Sequence, residues 1–185
     1  MIIGITGHAR HGKDSTADII VKRFGFTKYA LADVMKDACK VIFKWSDARL
    51  YGELKDEIDP AFGISPRHAL QSLGTEWGQW ELAKYDTFKE TTGRKLWVNA
   101  LLARVSDAAA IADVRFPHEA DAIREKGGII IRVRRMYPID TSHESERGVE
   151  DIEADYTVNN FGSLADLEWQ VYELMGEILE KTIIG

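Results

Sequence analysis

The residues best able to do chemistry fall within the first sixteen. "GHARHGK" (7–13) has the form G-x-x-x-x-G-K, with Gly7, Gly12 and Lys13 at the fixed positions. Glycines let backbone N–H groups converge on an anion. A helix beginning there adds the positive end of its dipole, and a lysine reaches the outer phosphates. Gly7, Arg10, His11, Gly12, Lys13, Asp14, Ser15 and Thr16 are therefore the expected phosphate-binding set. Asp14 stands where a serine or threonine is usual. An acid beside phosphates is repelled unless a metal lies between. Two readings stay open: Asp14 faces Mg²⁺ together with the Ser15 hydroxyl, or it is a first-turn acid favoured by the helix dipole. His8 and His11 are expected to shape the loop backbone or to make outward contacts.

A second acid lies in "AIADVRFPHEAD". Asp113 ends a small-residue apolar run, where a carboxylate can hold Mg²⁺ through water. Arg115 follows two residues later, and Glu119 one helical turn beyond that. "HESE" (143–146) lacks the second histidine of a zinc-protease motif. No serine or cysteine nucleophile constellation is evident.

These groups need elements to carry them. "IIGIT" (2–6), "TKYAL" (27–31), "AAAIADV" (108–114), "IIIRV" (129–133) and "YTVNN" (156–160) read as short strands. Between them run helical periods: Ala17, Ile20, Val21 and Phe24, closed by Gly25; Ala38, Val41 and Ile42, with Asp33 as N-cap; Trp97, Leu101 and Val105; and a helix opened by Pro117 and closed at Gly127 and Gly128. A last amphipathic helix spans Ser163 to Lys181, with Leu164, Leu167, Val171, Leu174 and Ile178 on one stripe and Ser163 and Asp166 forming a capping box. Strands joined by helices imply an α/β fold with a five-stranded parallel sheet covered on both faces. Ligands gather at the carboxyl ends of such strands, where Gly7, Asp33, Asp113 and Arg134 are expected. Residues 45–95 break the rhythm and read as a helical insertion, with Ser65-Pro66 starting one helix. Residues 134–154 are polar and read as a lid.

The 185 residues suit one domain, 1–185, carrying these two additions. A net charge of −6 gives no reason to expect a nucleic-acid partner. No apolar run reaches about 18 residues, so no membrane span is expected. Cys39 is the only cysteine, which suits a reducing cytoplasm.

The segments "GKDSTAD", "ALADVMKDA", "SPRHALQSLGTEWG", "DVRFPHEADAIREKGGIIIRV" and "DTSHESE" occur in order over most of the chain. Together they resemble the phage-type deoxynucleoside monophosphate kinases. The resemblance implies a P-loop NTPase fold of the nucleoside monophosphate kinase type, with the insertion binding the acceptor. It implies ATP as donor, Mg²⁺, and a deoxynucleoside 5′-monophosphate as the acceptor that becomes the diphosphate. By the same resemblance Lys13, Arg67, Asp113 and Arg115 are catalytic, and Asp14, Ser15 and Asp113 hold the metal. Arg67, Arg115 and Glu119 meet the acceptor, and Arg134, Arg135 or Arg147 acts from the lid. Within the insertion two readings stay open for Trp77, stacking on the acceptor base or packing in the core, and Gln71 or Glu76 is placed to hydrogen-bond a base edge. A viral source, and with it the host cytoplasm, is a family inference, and a homodimer is left open. The rival readings are a kinase for another small phosphorylated acceptor, such as phosphomevalonate or dephospho-coenzyme A, and a nucleotide-binding ATPase or switch.

Overall fold

A computed structural model describes residues 1–105, 108–136 and 148–184. The chain forms two compact units, one of Met1–Tyr29 with Val105–Gly185 and one of Ala30–Arg104.

The first unit is built on five parallel strands: β1 (Ile2–Thr6), β2 (Thr27–Tyr29), β3 (Ala109–Val114), β4 (Ile129–Arg134) and β5 (Tyr156–Asn159). Their order is β2-β3-β1-β4-β5. The central strand, β1, pairs Gly4 with Ile111 on one side and with Ile130 on the other. Its residues from Ile3 to Thr6 are buried, as a strand covered on both faces requires.

Helix α1 (Lys13–Phe24) and the last helix, α8 (Leu164–Ile184), share one apolar cluster on one face, with Ile20, Leu167, Val171, Met175 and Ile178 packed around Ile3, Ile5 and Val133. Full burial of each large aliphatic side chain contributes about 1.5–3 kcal/mol. Helix α7 (Pro117–Glu125) covers the other face. There Gly4 has a packing reason: a Cβ would lie 2.7 Å from the Ile130 Cδ1 and 3.0 Å from the Ile123 Cδ1. The predicted α8 capping box is present. The Ser163 N–H donates to Asp166 Oδ2 at 2.7 Å, and the Asp166 N–H donates to Ser163 Oγ at 3.3 Å. Leu164 departs from its predicted stripe. At 65% exposure it lies ahead of the face that buries Leu167.

The second unit is helical: α2 (Leu31–Phe43), α3 (Asp47–Leu50), α4 (Pro66–Gln71), a π-helical run (Ser72–Glu81), α5 (Asp86–Thr91) and α6 (Leu96–Leu102). Asp33 is not the α2 N-cap. It sits in the first turn and accepts the Ala30 N–H at 3.0 Å. The stripe drawn through Val41 and Ile42 is also overturned. Both are exposed, and Leu31, Val34 and Cys39 face inward instead. Helix α6 ends at Leu102, before Val105. Ser65 caps α4 through the His68 N–H, with Pro66 in the first turn.

The π-helical run surrounds one packing event. The Trp97 indole N–H donates to the Gly74 carbonyl at 2.9 Å. A Cβ on Gly78 would stand 2.3 Å from that indole nitrogen. Gly78 thus admits the tryptophan to the backbone, while Gly74 makes room for Met35, whose Sδ would lie 2.6 Å from a Cβ there. Long π-helical runs are rare and recur at functional sites.

Candidate active site

In the first unit the phosphate loop leaves β1 at its carboxyl end and opens α1. Its two fixed glycines have steric reasons on the protein side. Gly7 has φ +146°, and a Cβ there would sit 2.4 Å from the Val133 carbonyl oxygen of β4. Gly12 has φ +101°, and its Cβ would meet Asn160 Nδ2 at 2.5 Å. That same Asn160 amide donates to the His11 carbonyl at 2.9 Å. The buried residue after β5 therefore braces the loop. Arg10 takes the left-handed conformation, with φ 65°.

Lys13 folds back over the loop it follows. Its ammonium donates to the Gly7 carbonyl at 2.7 Å and the His8 carbonyl at 2.9 Å. A lysine held over a glycine-containing loop that opens a helix is an arrangement able to cradle an anion.

His8 and His11 do not point outward. Both are 4% exposed, and their rings meet edge to face with centroids 5.3 Å apart. The His8 Nε2 contacts a Glu150 carboxylate oxygen. Sequence reading missed this pair because the partners lie 142 residues apart.

The neighbouring strands bring further groups to the same edge. Thr6 of β1 is in register with Val114 of β3 and Arg132 of β4, so Asp113 and Arg134 flank the start of the loop. Asp113 and Arg115 are half-buried. Arg134 and Arg135 are exposed and, with Gly7, His8, His11 and Phe161, line a cavity of about 240 Å³. Arg147 lies outside the described residues.

Glu119 is 7% exposed, and its Oε2 accepts the N–H groups of Arg115 at 2.7 Å and Phe116 at 3.0 Å. Burial, reinforced by the charge of Asp113, pushes its carboxyl up to about 8 against those two hydrogen bonds. An acid so enclosed positions the Arg115 turn rather than presenting itself to a ligand.

Asp14 also departs from expectation. Its side chain is 83% exposed and pairs with Lys28 Nζ at 3.0 Å, beside Asp18 at 2.9 Å. Burial lowers the Lys28 pKa, but its bonds to Asp18 and Asp14 outweigh that and raise it. The first-turn surface reading of Asp14 fits this geometry better than the metal reading.

The remaining oxygens suit a magnesium ion that shares its shell with phosphates and water. Asp113 supplies a carboxylate at the strand end, and Ser15 a half-buried hydroxyl. Thr16 Oγ1 is buried without a hydrogen-bond partner among the described residues. The described residues contain no group of three or more acidic, histidine or cysteine ligands, so an all-protein cage is not what this edge offers.

The acceptor candidates lie in the second unit. Arg67 donates through its fork to both oxygens of Asp56, at 3.0 Å from Nη2 to Oδ2, and both residues are exposed. Its hydrogen bond holds the Asp56 carboxyl below the usual range. Gln71 is exposed at the end of α4. Glu76 accepts the Ser72 hydroxyl at 2.5 Å. Trp77 is 45% exposed, with its ring tilted against Trp97 at 6.1 Å. One buried polar group escaped sequence reading: Gln79, 4% exposed, accepts the Arg94 guanidinium at 2.6 Å.

Comparison with known proteins decides which family this chain belongs to. The sequence model of the deoxynucleotide monophosphate kinases matches residues 63–171. A protein described as a deoxynucleotide monophosphate kinase, from Acanthamoeba polyphaga mimivirus, is 34% identical over 167 residues, covering 83% of this chain and 84% of its own. The chain belongs to the deoxynucleotide monophosphate kinase family. As a member it is a phosphotransferase with a small nucleotide substrate. A deoxynucleoside-5′-monophosphate kinase of Escherichia phage T5 is 28% identical, over 73% of this kinase and 55% of its own length.

Solved structures agree on the fold. A shikimate kinase from Aquifex aeolicus superposes with a TM-score of 0.52 at 12% identity, covering all of both chains. A dephospho-CoA kinase from Campylobacter jejuni reaches 0.52 at 15% identity, over 98% of each chain. The kinase thus has the P-loop kinase fold expected from its strands and loop. No helix among the described residues is long and apolar enough to cross a membrane.

Proposed function

We propose that this kinase moves the γ-phosphoryl group of ATP to a deoxynucleoside 5′-monophosphate, giving the diphosphate, with the donor on the phosphate loop. The observation that carries the donor assignment is Lys13, whose ammonium spans the Gly7 and His8 carbonyls over a loop braced by Asn160. When bound, ATP supplies the phosphoryl group and Mg²⁺ neutralises part of its charge. Ser15 and Asp113 are the residues to hold that metal, with the Thr16 oxygen buried beside Ser15 in the sequence. Lys13 exchanges its carbonyl partners for phosphate oxygens. Arg115, whose backbone N–H is held by Glu119, is the guanidinium assigned to the transferring charge. Arg134, the last residue of β4, and Arg135 after it are the lid candidates among the described residues, placed to meet the outer phosphates; residues 137–147 of the expected lid lie outside the described residues, and Val149 and Ile152 beyond them are buried.

The acceptor assignment rests on the helical stretch 45–95. Arg67 has the fork geometry that grips a phosphate bidentately, and its present partner is an exposed carboxylate that a phosphate dianion can replace. Trp77 offers a half-exposed ring for base stacking, and Gln71 and Glu76 offer edges for hydrogen bonding.

The test is ADP release with ATP, Mg²⁺ and each deoxynucleoside monophosphate in turn, with separation of products. ADP formed only with particular acceptors, together with the matching diphosphate, supports the proposal. ADP formed at the same rate without any acceptor supports an ATPase instead.

A further inference from the structure

The segment between β4 and β5 returns to the sheet through Gly148–Ile152, and its contacts reach both parts of the phosphate edge. Val149 and Ile152 are 1% and 2% exposed and anchor it. Arg132 of β4 donates to the Val149 carbonyl at 3.1 Å and also to the Ile152 carbonyl. Gly148 lies against the Arg115 turn, where a Cβ would meet the Arg115 carbonyl oxygen and the Phe116 ring at 2.8 Å. Between these anchors Glu150 turns its carboxylate to the loop. One oxygen contacts His8 Nε2, and the other lies 3.8 Å from Arg132 Nη1.

His8 is the residue that matters here. Its ring is buried and held by Glu150, while its backbone carbonyl receives the Lys13 ammonium at 2.9 Å. A chain of contacts thus runs from Glu150 through His8 to Lys13. We infer that Glu150 is a positioning residue for the donor side of the reaction, holding the phosphate loop in its binding shape through His8. The hydrogen bond from His8 keeps the Glu150 carboxyl below its usual range against partial burial, with Arg132 and Arg134 adding to the effect. The contact is therefore charge-assisted at neutral pH.

This inference rests on the proposal that the loop holds ATP, and its test separates the two. Binding of a non-hydrolysable ATP analogue is measured by calorimetry, alongside steady-state kinetics, for wild type, Glu150→Ala, Glu150→Gln and His8→Ala. Losing a charge-assisted hydrogen bond costs about tenfold or more in an equilibrium. Glu150→Ala is expected to weaken analogue binding and raise the KM for ATP about tenfold, leaving the KM for the acceptor unchanged and kcat little affected. Glu150→Gln keeps an oxygen for the His8 N–H and is expected to recover most of that loss. Glu150→Ala combined with His8→Ala is expected to be no worse than either alone, as for two members of one contact. Glu150→Ala that binds the analogue like wild type overturns the inference alone. So does a loss confined to kcat, or a Glu150→Gln protein as impaired as Glu150→Ala. Wild-type protein that binds no analogue overturns the donor-site proposal and this inference with it. More than half of the Glu150 side chain is exposed, so its truncation leaves the fold intact, and a thermal melt of each variant checks this.

Discussion

The two units hold their candidate groups in different ways. In the sheet unit the phosphate loop is fixed through its backbone, by packing on β4 and by side chains that bond its carbonyls. Gly7 abuts the Val133 carbonyl, Asn160 ties the His11 carbonyl, and Lys13 is bonded to two carbonyls of its own loop. In the helical unit the groups are fixed by side chains. Arg67 is paired with Asp56, Glu76 with Ser72, and the π-helical run is closed by the Trp97 indole. Backbone contacts inside a parallel sheet cannot adjust without moving a strand, whereas exposed ion pairs exchange partners at little cost, about 0–1 kcal/mol each. The difference suits a preformed donor cradle and an acceptor surface whose charges are released to a ligand.

The largest expected effect tests the cradle. Lys13→Ala removes the cation over the loop. Loss of one preorganised charge typically costs about 10²–10³ in rate. The variant should show at least that loss in kcat/KM and still melt like wild type, because the Lys13 bonds lie within the loop and not in the apolar cluster. Unchanged turnover would break the donor assignment. Arg67→Ala should have its effect elsewhere: a raised KM for the acceptor monophosphate, about 10–100-fold for a lost charged hydrogen-bond pair, with the KM for ATP unchanged. Were the KM for ATP to rise instead, the division of labour between the units would be wrong.

Next in size is a steric test of the helical unit. Gly78→Ala places a methyl group within 2.3 Å of the Trp97 indole nitrogen, and the indole cannot retreat without giving up the Gly74 carbonyl. Overpacking of this kind costs about 1–3 kcal/mol. The expected outcome is a lower melting temperature and a raised acceptor KM, with analogue binding at the phosphate loop intact. Equal weakening of both ligands would mean that the two units do not act separately.

The division also tracks what the sequence made legible. The phosphate loop, the five strands and the α8 capping box are local: glycine spacing, β-branched runs and a serine three residues before an aspartate announce them. The α1 and α8 faces are legible except at Leu164, because their apolar period is regular. A residue whose fate depends on a distant partner is not legible in this way. Val41 and Ile42 are apolar but lie off the face that α2 buries, a fact set by packing and not by composition. The motif leaves Asp14 open between a metal and the helix dipole, and only the fold shows Lys28, fourteen residues on, against its carboxylate. The Glu150–His8 and Asn160–His11 contacts join residues more than 140 apart and leave no local signature. The π-helical run leaves no local signature for the same reason, since Gly78 has its meaning beside Trp97 and Gly74 beside Met35.

A last test contrasts the acids of the two units. Asp56, exposed beside Arg67, has its carboxyl held low and stays charged through the neutral range. Glu119, enclosed at the start of α7, has its carboxyl raised to about 8. In the unfolded chain Glu119 returns to the ordinary value near 4.5, so folding takes up a proton between those limits. The stability this group contributes is full below about pH 4.5 and is lost as pH rises through about 8. Glutamine cannot ionise and still offers an oxygen to the Arg115 and Phe116 N–H groups. Glu119→Gln should therefore melt close to wild type at pH 5 and several degrees above it at pH 9, given about 2–4 °C per kcal/mol for a chain of this length. The melts are taken without nucleotide or magnesium, so that Asp113 keeps its charge beside Glu119. Parallel melting curves across that range would mean that Glu119 is ionised in the folded protein throughout. The two backbone N–H bonds would then outweigh burial, and the Arg115 turn would be held by an anion rather than by a neutral acid.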